Sequence, residues 1–256
     1  MQPRRLAPFT DNAPVLILVA AEIEARAVRD ALPPGTTTPA PAPGSTAPAT
    51  GTTATNTPGS TGSPPWRVHT INDRFHLLIT GVGKANAAGA LAYALRADAY
   101  AAVVNTGVCG ALPGSNLEPG ACILATSSVF ADEGMRTRDG FDDIASMGFP
   151  PVEGAGVGFP AHGPLAAALA PCAEAHGPIA CVSTCSGTDA LALDIVARTH
   201  AIGEAMEGAA AGVVCARLGV PFAEVRVVSN STGERATQRW DMPRALARLG
   251  ALVGAW

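Results

Sequence analysis

Val15-Leu16-Ile17-Leu18-Val19-Ala20-Ala21-Glu22-Ile23-Glu24-Ala25-Arg26 is the stretch that decides the fold. Its first half is an unbroken apolar run of strand length, and a strand apolar at every position must be covered on both faces. The charged residues that follow open a helix over Glu22 to Leu32. A buried strand (Val15 to Ala20) feeding straight into a helix is the unit of an α/β sheet, and such sheets collect ligand groups at strand C-terminal ends. The apolar run from Ala13 to Ala21 is far short of the ~20 residues a membrane-spanning helix needs. Arg4 and Arg5 precede it, but charge follows at once and no small-residue cleavage site is set off, so a first strand is the better reading than a signal peptide.

Working outward, strand and helix keep alternating. Trp66 to Ile71 and Phe75 to Thr80, joined through Asn72-Asp73, read as a hairpin. Lys84 to Arg96 reads as a helix after the Gly81-Val82-Gly83 turn. Ala102 to Thr106 reads as a short strand ending in a loop, Gly107-Val108-Cys109-Gly110. Cys122 to Phe130 and Ile179 to Thr184 are further strands. Glu204 to Leu218 reads as a helix stopped by Gly219, Phe222 to Ser229 as a last central strand, and Trp240 to Val253 as a closing helix. The expectation is one domain over residues 13–256, three-layer α/β/α around a mixed, mainly parallel central sheet. Residues 33–65 break the pattern. They hold only Pro, Gly, Thr, Ala, Ser and Asn, cannot bury a core, and read as a disordered insert.

Composition excludes several classes. Of 256 residues, 48% are apolar and 15% charged, so there is ample surface to bury against the entropy of ordering. Seventeen basic residues against 21 acidic ones, with no basic run, argue against a nucleic-acid partner. The six cysteines (109, 122, 172, 181, 185 and 215) show no metal spacing and read as reduced, mostly structural thiols of a cytoplasmic protein. The five histidines are scattered likewise. Gly81-Val82-Gly83-Lys84 fails as a phosphate loop, because Leu78 and Ala85 stand where Gly and Ser or Thr are needed. It fails as a dinucleotide fingerprint too, because position 86 is Asn. No Gly-x-Ser-x-Gly elbow supports a nucleophile at Ser186.

Five segments stand at strand ends in a telling order: Ala20-Ala21-Glu22-Ile23-Glu24, Gly81-Val-Gly-Lys-Ala-Asn-Ala-Ala88, Asn105-Thr-Gly-Val-Cys-Gly110, Glu204-Ala-Met-Glu-Gly-Ala-Ala210 and Val227-Val-Ser-Asn230. Together they resemble the nucleoside phosphorylase and nucleosidase superfamily from about residue 13 to the C-terminus. Ala131-Asp-Glu-Gly134, Gly140-Phe141, Met147-Gly-Phe-Pro150, Ser183-Thr-Cys-Ser-Gly-Thr188, Glu207-Gly208, and Arg235 and Trp240 after Ser229-Asn230 narrow the resemblance to futalosine hydrolases. That resemblance implies hydrolysis of the purine N-glycosidic bond of futalosine, releasing hypoxanthine in a menaquinone route. It implies no metal or organic cofactor, and a homo-oligomer.

The resemblance also assigns roles. Glu207 stands at the ribose-binding glutamate, with Met206 packed on the sugar and Val108, Cys109 and Gly110 lining the same loop. Glu24 stands at the water-activating position by register only, and Glu22 competes for the role. Asn230 stands where adenosine-type enzymes have Asp; an amide can donate to a 6-oxo group and accept from a protonated position 7, which suits hypoxanthine. Asp132 and Glu133 read as ion-pair partners of Arg136 or Arg138. A nucleosidase for methylthioadenosine or adenosylhomocysteine, or a phosphorylase, is the rival reading; Glu22 and Glu24 stand where a phosphorylase would want neutral or cationic groups.

Overall fold

The opening apolar run becomes a strand buried along its whole length, β1 (Val15–Val19), and its two faces feed two different cores. In the computed structural model, which describes residues 5–34 and 66–256, Val15, Ile17 and Val19 join one apolar cluster and Leu16 and Leu18 another. This is the period-2 alternation of a strand covered on both sides. Of the expected insert, residues 33 and 34 are described; the rest lies outside the described residues.

A short helix, α1 (Ala7–Thr10), precedes β1, and α2 (Glu22–Ala31) follows it. Then come β2 (Val68–Thr70), β3 (Phe75–Ile79), α3 (Lys84–Ala94), β4 (Ala102–Ala111) and β5 (Cys122–Phe130). A small hairpin of β6 (Gly134–Arg136) and β7 (Phe141–Asp143) leads to β8 (Gly158–Pro160) and α4 (Gly163–Leu169). The chain ends with β9 (Ala175–Cys181), α5 (Asp189–Thr199), β10 (Gly203–Ala205), α6 (Gly208–Leu218), β11 (Phe222–Ser231) and α7 (Met242–Gly254). The sheet runs β10-β9-β5-β11-β4-β1-β3-β2, with β8 beside β5. It is mixed: β1, β3, β4 and β11 are parallel neighbours, and β5 runs antiparallel to β11. Because β10 also pairs with β4, the strands β10, β9, β5, β11 and β4 close into a ring without a free edge.

One cluster sits under α2, α4 and α7, the other under α3 and α6, giving three layers. Three elements differ from the sequence reading by more than the one or two residues by which other ends shift. β4 does not stop at Thr106; it runs through Gly107 to Ala111, because β11 pairs with it along the whole length. Residues 204–205 are strand rather than helix, since β10 is paired on both sides, and α6 begins only at Gly208. β9 lies earlier than expected, ending at Cys181.

Candidate active site

The long pairing of β4 with β11 carries both strands to the same end of the sheet, where the first turns of α2, α3 and α6 also converge. Four charged side chains meet there, all nearly sealed from solvent: Glu24, Glu207, Glu224 and Arg226. Isolated buried charges are very costly, so each must be paired or hydrogen-bonded.

Glu24, in the first turn of α2, turns inward. Its Oε2 accepts from the backbone N–H groups of Ala20 and Ala21 at 3.0 Å each, and Oε1 accepts from Val108 N–H at 2.9 Å. A carboxylate has about four acceptor positions, so one on Oε1 remains open. Burial raises its pKa above the usual carboxylate range; the Arg226 charge and the Val108 and Ala21 N–H groups oppose this, and Glu207 adds to it. Such a carboxylate is a stronger base than an exposed one and is suited to take a proton. Gly107 makes the approach possible. It has φ +137°, and a Cβ there would lie 2.4 Å from Glu24 Oε1. Glu22, two residues upstream, faces solvent and pairs with Arg29.

Glu207 caps α6 as its last non-helical residue. Oε1 accepts from Gly83 N–H and Oε2 from Arg226 Nη2, both at 3.0 Å. Each oxygen keeps one acceptor position, which fits a pair of adjacent hydroxyls. Arg226 lies 1% exposed in the middle of β11 and ties the group together. It donates Nε to Glu224 Oε1 at 2.8 Å, Nη2 to Glu207, and Nη1 to the Val108 carbonyl at 3.3 Å. Burial works against its charge, but Glu224, Glu207 and Glu24 outweigh that and hold it protonated. Glu224 also accepts from Asn105 Nδ2 at 3.2 Å and Ser128 Oγ at 2.5 Å.

The other side of the site is neutral. Asn230, 7% exposed, follows a bulge in the β4–β11 ladder. Its Nδ2 donates to the Ser231 carbonyl at 2.9 Å and its Oδ1 accepts from Ser229 Oγ at 2.8 Å, which fixes the amide's orientation. One N–H and one acceptor position remain for a ligand. Gly110 is its neighbour; a Cβ there would come within 3.3 Å of Asn230 Nδ2 and 2.6 Å of Thr232. Met206 is half-buried, with its sulfur 3.6 Å from Cys185 Sγ. The segment 183–187 is anchored from below: Ser186 donates its N–H at 2.9 Å and its hydroxyl at 2.5 Å to the buried Glu204. Burial raises the Glu204 pKa, and the two Ser186 bonds pull against it.

The structure therefore brings Glu24, Glu207, Met206, Val108, Gly110 and Asn230 to one end of the sheet. Val108 contributes its backbone on both sides, to Glu24 and Arg226. Cys109 is different: its thiol is buried among Ala111, Ile123, Ile179 and Val228, and its carbonyl accepts from Ser229 Oγ. Asp132 and Glu133 pair with Lys84 rather than with an arginine, and Arg136 pairs with Asp194. Lys84 reaches them because Phe130 ends β5 directly above α3, with the ammonium 5.3 Å from its ring. Thr188 caps α5, and Asp189 accepts from Glu234 N–H. Among the described residues, no group of three or more His, Cys, Asp or Glu could hold a metal ion. Arg226 and Glu224 were missed by the sequence reading. The signal was there: Ala223-Glu-Val-Arg-Val227 sets two opposite charges two apart inside an otherwise apolar strand, on one face.

Comparison with known proteins places the chain in a family. The family model described as the phosphorylase superfamily matches residues 17–255. A futalosine hydrolase of Acidothermus cellulolyticus is 39% identical over 189 residues, covering 70% of this chain and 75% of the relative. One of Streptomyces coelicolor is 34% identical over 209 residues, covering 77% and 85%. Among solved structures, 5'-methylthioadenosine/S-adenosylhomocysteine nucleosidase of Neisseria meningitidis, in complex with methylthio-immucillin-A, superposes with a TM-score of 0.69 at 21% identity, over 94% of this chain and 97% of that one. Native futalosine hydrolase of Helicobacter pylori gives 0.69 at 14% identity, over 95% and 97%. These two superpositions bear on the fold.

Proposed function

The chain belongs to the futalosine hydrolases of the phosphorylase superfamily, and from that premise we propose that it hydrolyses the N-glycosidic bond of futalosine, releasing hypoxanthine and dehypoxanthine futalosine within a menaquinone route. It is an N-glycosidase of the nucleosidase type. The observation that carries the reading is Glu24: a buried carboxylate with three backbone donors, a raised pKa and one acceptor position left over.

Cleavage of such a bond passes through a ribosyl cation, so the protein must hold the sugar, supply an activated water and receive the departing base. Glu207 accepts from the two ribose hydroxyls through its two open positions, with Met206 against the sugar. Glu24 takes a proton from the water that attacks the anomeric carbon, and the nearby carboxylates favour positive charge building on the ribose. The purine takes a proton from solvent at position 7 as the bond breaks, and Glu24 later returns its proton to solvent; Asn230 donates its free N–H to the 6-oxo group and accepts from the position-7 N–H. Gly110 and the Cys109 backbone line the approach to Asn230. No metal or organic cofactor is required for these steps.

We place the protein in the cytoplasm as a homo-oligomer. In support, the six cysteines are free thiols, and no helix among the described residues is long and apolar enough to cross a membrane. Exposed Ile23, Tyr93 and Phe149 offer apolar surface for self-association, which light scattering would test. The function is tested by incubating the protein with futalosine, inosine and methylthioadenosine, with and without phosphate. Release of hypoxanthine from futalosine, independent of phosphate, is the expected result. Phosphate-dependent turnover, or preference for methylthioadenosine, would overturn it.

A further inference from the structure

Gly208, the first residue of α6, has no room for a side chain. A Cβ there would stand 2.0 Å from Glu224 Oε2 and 2.5 Å from Oε1. The space an alanine would take is occupied by a carboxylate belonging to a different strand. Glu224 is fully buried and has its own set of donors: Arg226 Nε from its own strand, Asn105 Nδ2 from β4 and Ser128 Oγ from β5. A buried carboxylate is costly unless paired, and this one needs a glycine on α6 to exist at all. Yet it lies one layer behind the residues that would touch a substrate. Its hydrogen-bonded link to them among the described residues is Arg226, whose remaining nitrogens go to Glu207 and to the Val108 carbonyl beside Glu24.

We propose that Glu224 is a positioning residue for the hydrolytic reaction: it anchors the Arg226 guanidinium between Glu207 and Glu24 and shares its charge, so that Glu24 stays basic enough to activate water, and Gly208 is the residue that admits it. Two effects act in the same direction. A third carboxylate on one guanidinium leaves less of its charge to neutralise Glu24, and the Nε bond fixes which nitrogens face Glu207 and Val108. The charged groups facing Glu24 are Arg226 and Glu207; Glu224 is paired with Arg226, and the buried Cys109 and Cys181 thiols lie near it. This proposal rests on the reading of Glu24 as the water-activating group.

The test is E224Q, nearly the same shape without the charge. Its oxygen can still accept from Arg226 and Asn105, and Ser128 can turn its hydroxyl to accept from the new amide. Measured against whichever nucleoside the parent hydrolyses, the acidic limb of kcat/KM should move to lower pH by about half a unit or more, because Arg226 then falls on Glu24 and Glu207 alone. The melting temperature reads stability separately. A second variant, G208A/E224V, fills the same space without the anchor and should fold while losing kcat by tenfold or more, with KM little changed. A limb unmoved in E224Q, or full kcat in a folded G208A/E224V, would overturn the proposal. A parent inactive on futalosine but active on another nucleoside would sink the substrate reading and leave this test intact.

Discussion

The two halves of the site are built from different materials. On the side of β1, α2 and α6, the groups are carboxyls and a guanidinium, all sealed: Glu24, Glu207, Glu224 and Arg226 are each at most 4% exposed. On the side of Asn230, Ser229 and the 183–187 segment, the groups that would meet a ligand are amides, hydroxyls and sulfur, and Cys185 and Trp240 reach solvent. The difference matches the charge a glycosidic cleavage develops. Positive charge builds on the sugar, where carboxylates held in low dielectric are worth most, whereas a purine leaving group needs directional hydrogen bonds that tell oxo from amino. Substitutions on the two sides should therefore fail in different ways, the first in rate and the second in specificity.

Glu24→Gln should produce the largest loss. Removing a general base commonly costs ~10²–10⁴-fold, so kcat should fall by that order while substrate affinity, measured by calorimetry, stays within a few-fold. Arg226→Met should break the charged side as a unit. It leaves three buried carboxylates without their shared cation, and breaking a buried pair in this way costs about 3–5 kcal/mol, read as a lowered denaturation midpoint and loss of soluble protein. A variant of parental stability would mean that Arg226 does not hold the carboxylates together.

Asn230→Asp probes the neutral side and should be smaller. A carboxylate there repels a 6-oxo group but accepts from a 6-amino group, so kcat/KM for futalosine over aminodeoxyfutalosine should fall by about tenfold, or 1.4 kcal/mol. If that ratio holds steady, Asn230 does not read the base. Glu22→Gln should do least. Glu22 is paired with Arg29 at the surface, so activity within twofold and stability within about 0.5 kcal/mol of the parent are expected. Loss of turnover here would move the base two residues upstream.

How much of this the chain declares depends on how local the cause is. β1, α2 and β5 were legible because apolar runs and their charged neighbours suffice to define them, and Glu24 and Glu207 because short motifs surround them. Whether Glu22 or Glu24 turns inward was not legible; Gly107, more than eighty residues away, decides it by leaving room. The continuation of β4 past Gly107 and the strand at 203–205 depend on pairing with β11 and β9, and glycine-rich stretches read locally as loops. The hairpin β6–β7, the strand β8 and the helices α4 and α5 carry weak local patterns and were not foreseen. Asp132 and Glu133 met Lys84 rather than an arginine nearby in sequence because the sheet end sets α3 beside them.

The central claim is that Glu24, kept basic by burial, activates the water that cleaves the glycosidic bond. The pH dependence of kcat/KM on futalosine tests it most directly, since this reports the free enzyme's essential base. Glu24 must be ionised to act, and its pKa is raised, so activity should fall as pH drops through a value above the usual carboxylate range. By linkage, the same raised pKa makes a stability contribution that is present below the usual glutamate pKa and is lost as pH rises through the folded-state value, so the pH range that switches activity on also removes some stability. The prediction is an acidic limb above the usual carboxylate range in the parent and no such limb in the residual activity of Glu24→Gln. A limb at or below that range, or an unchanged limb in the variant, would contradict the account.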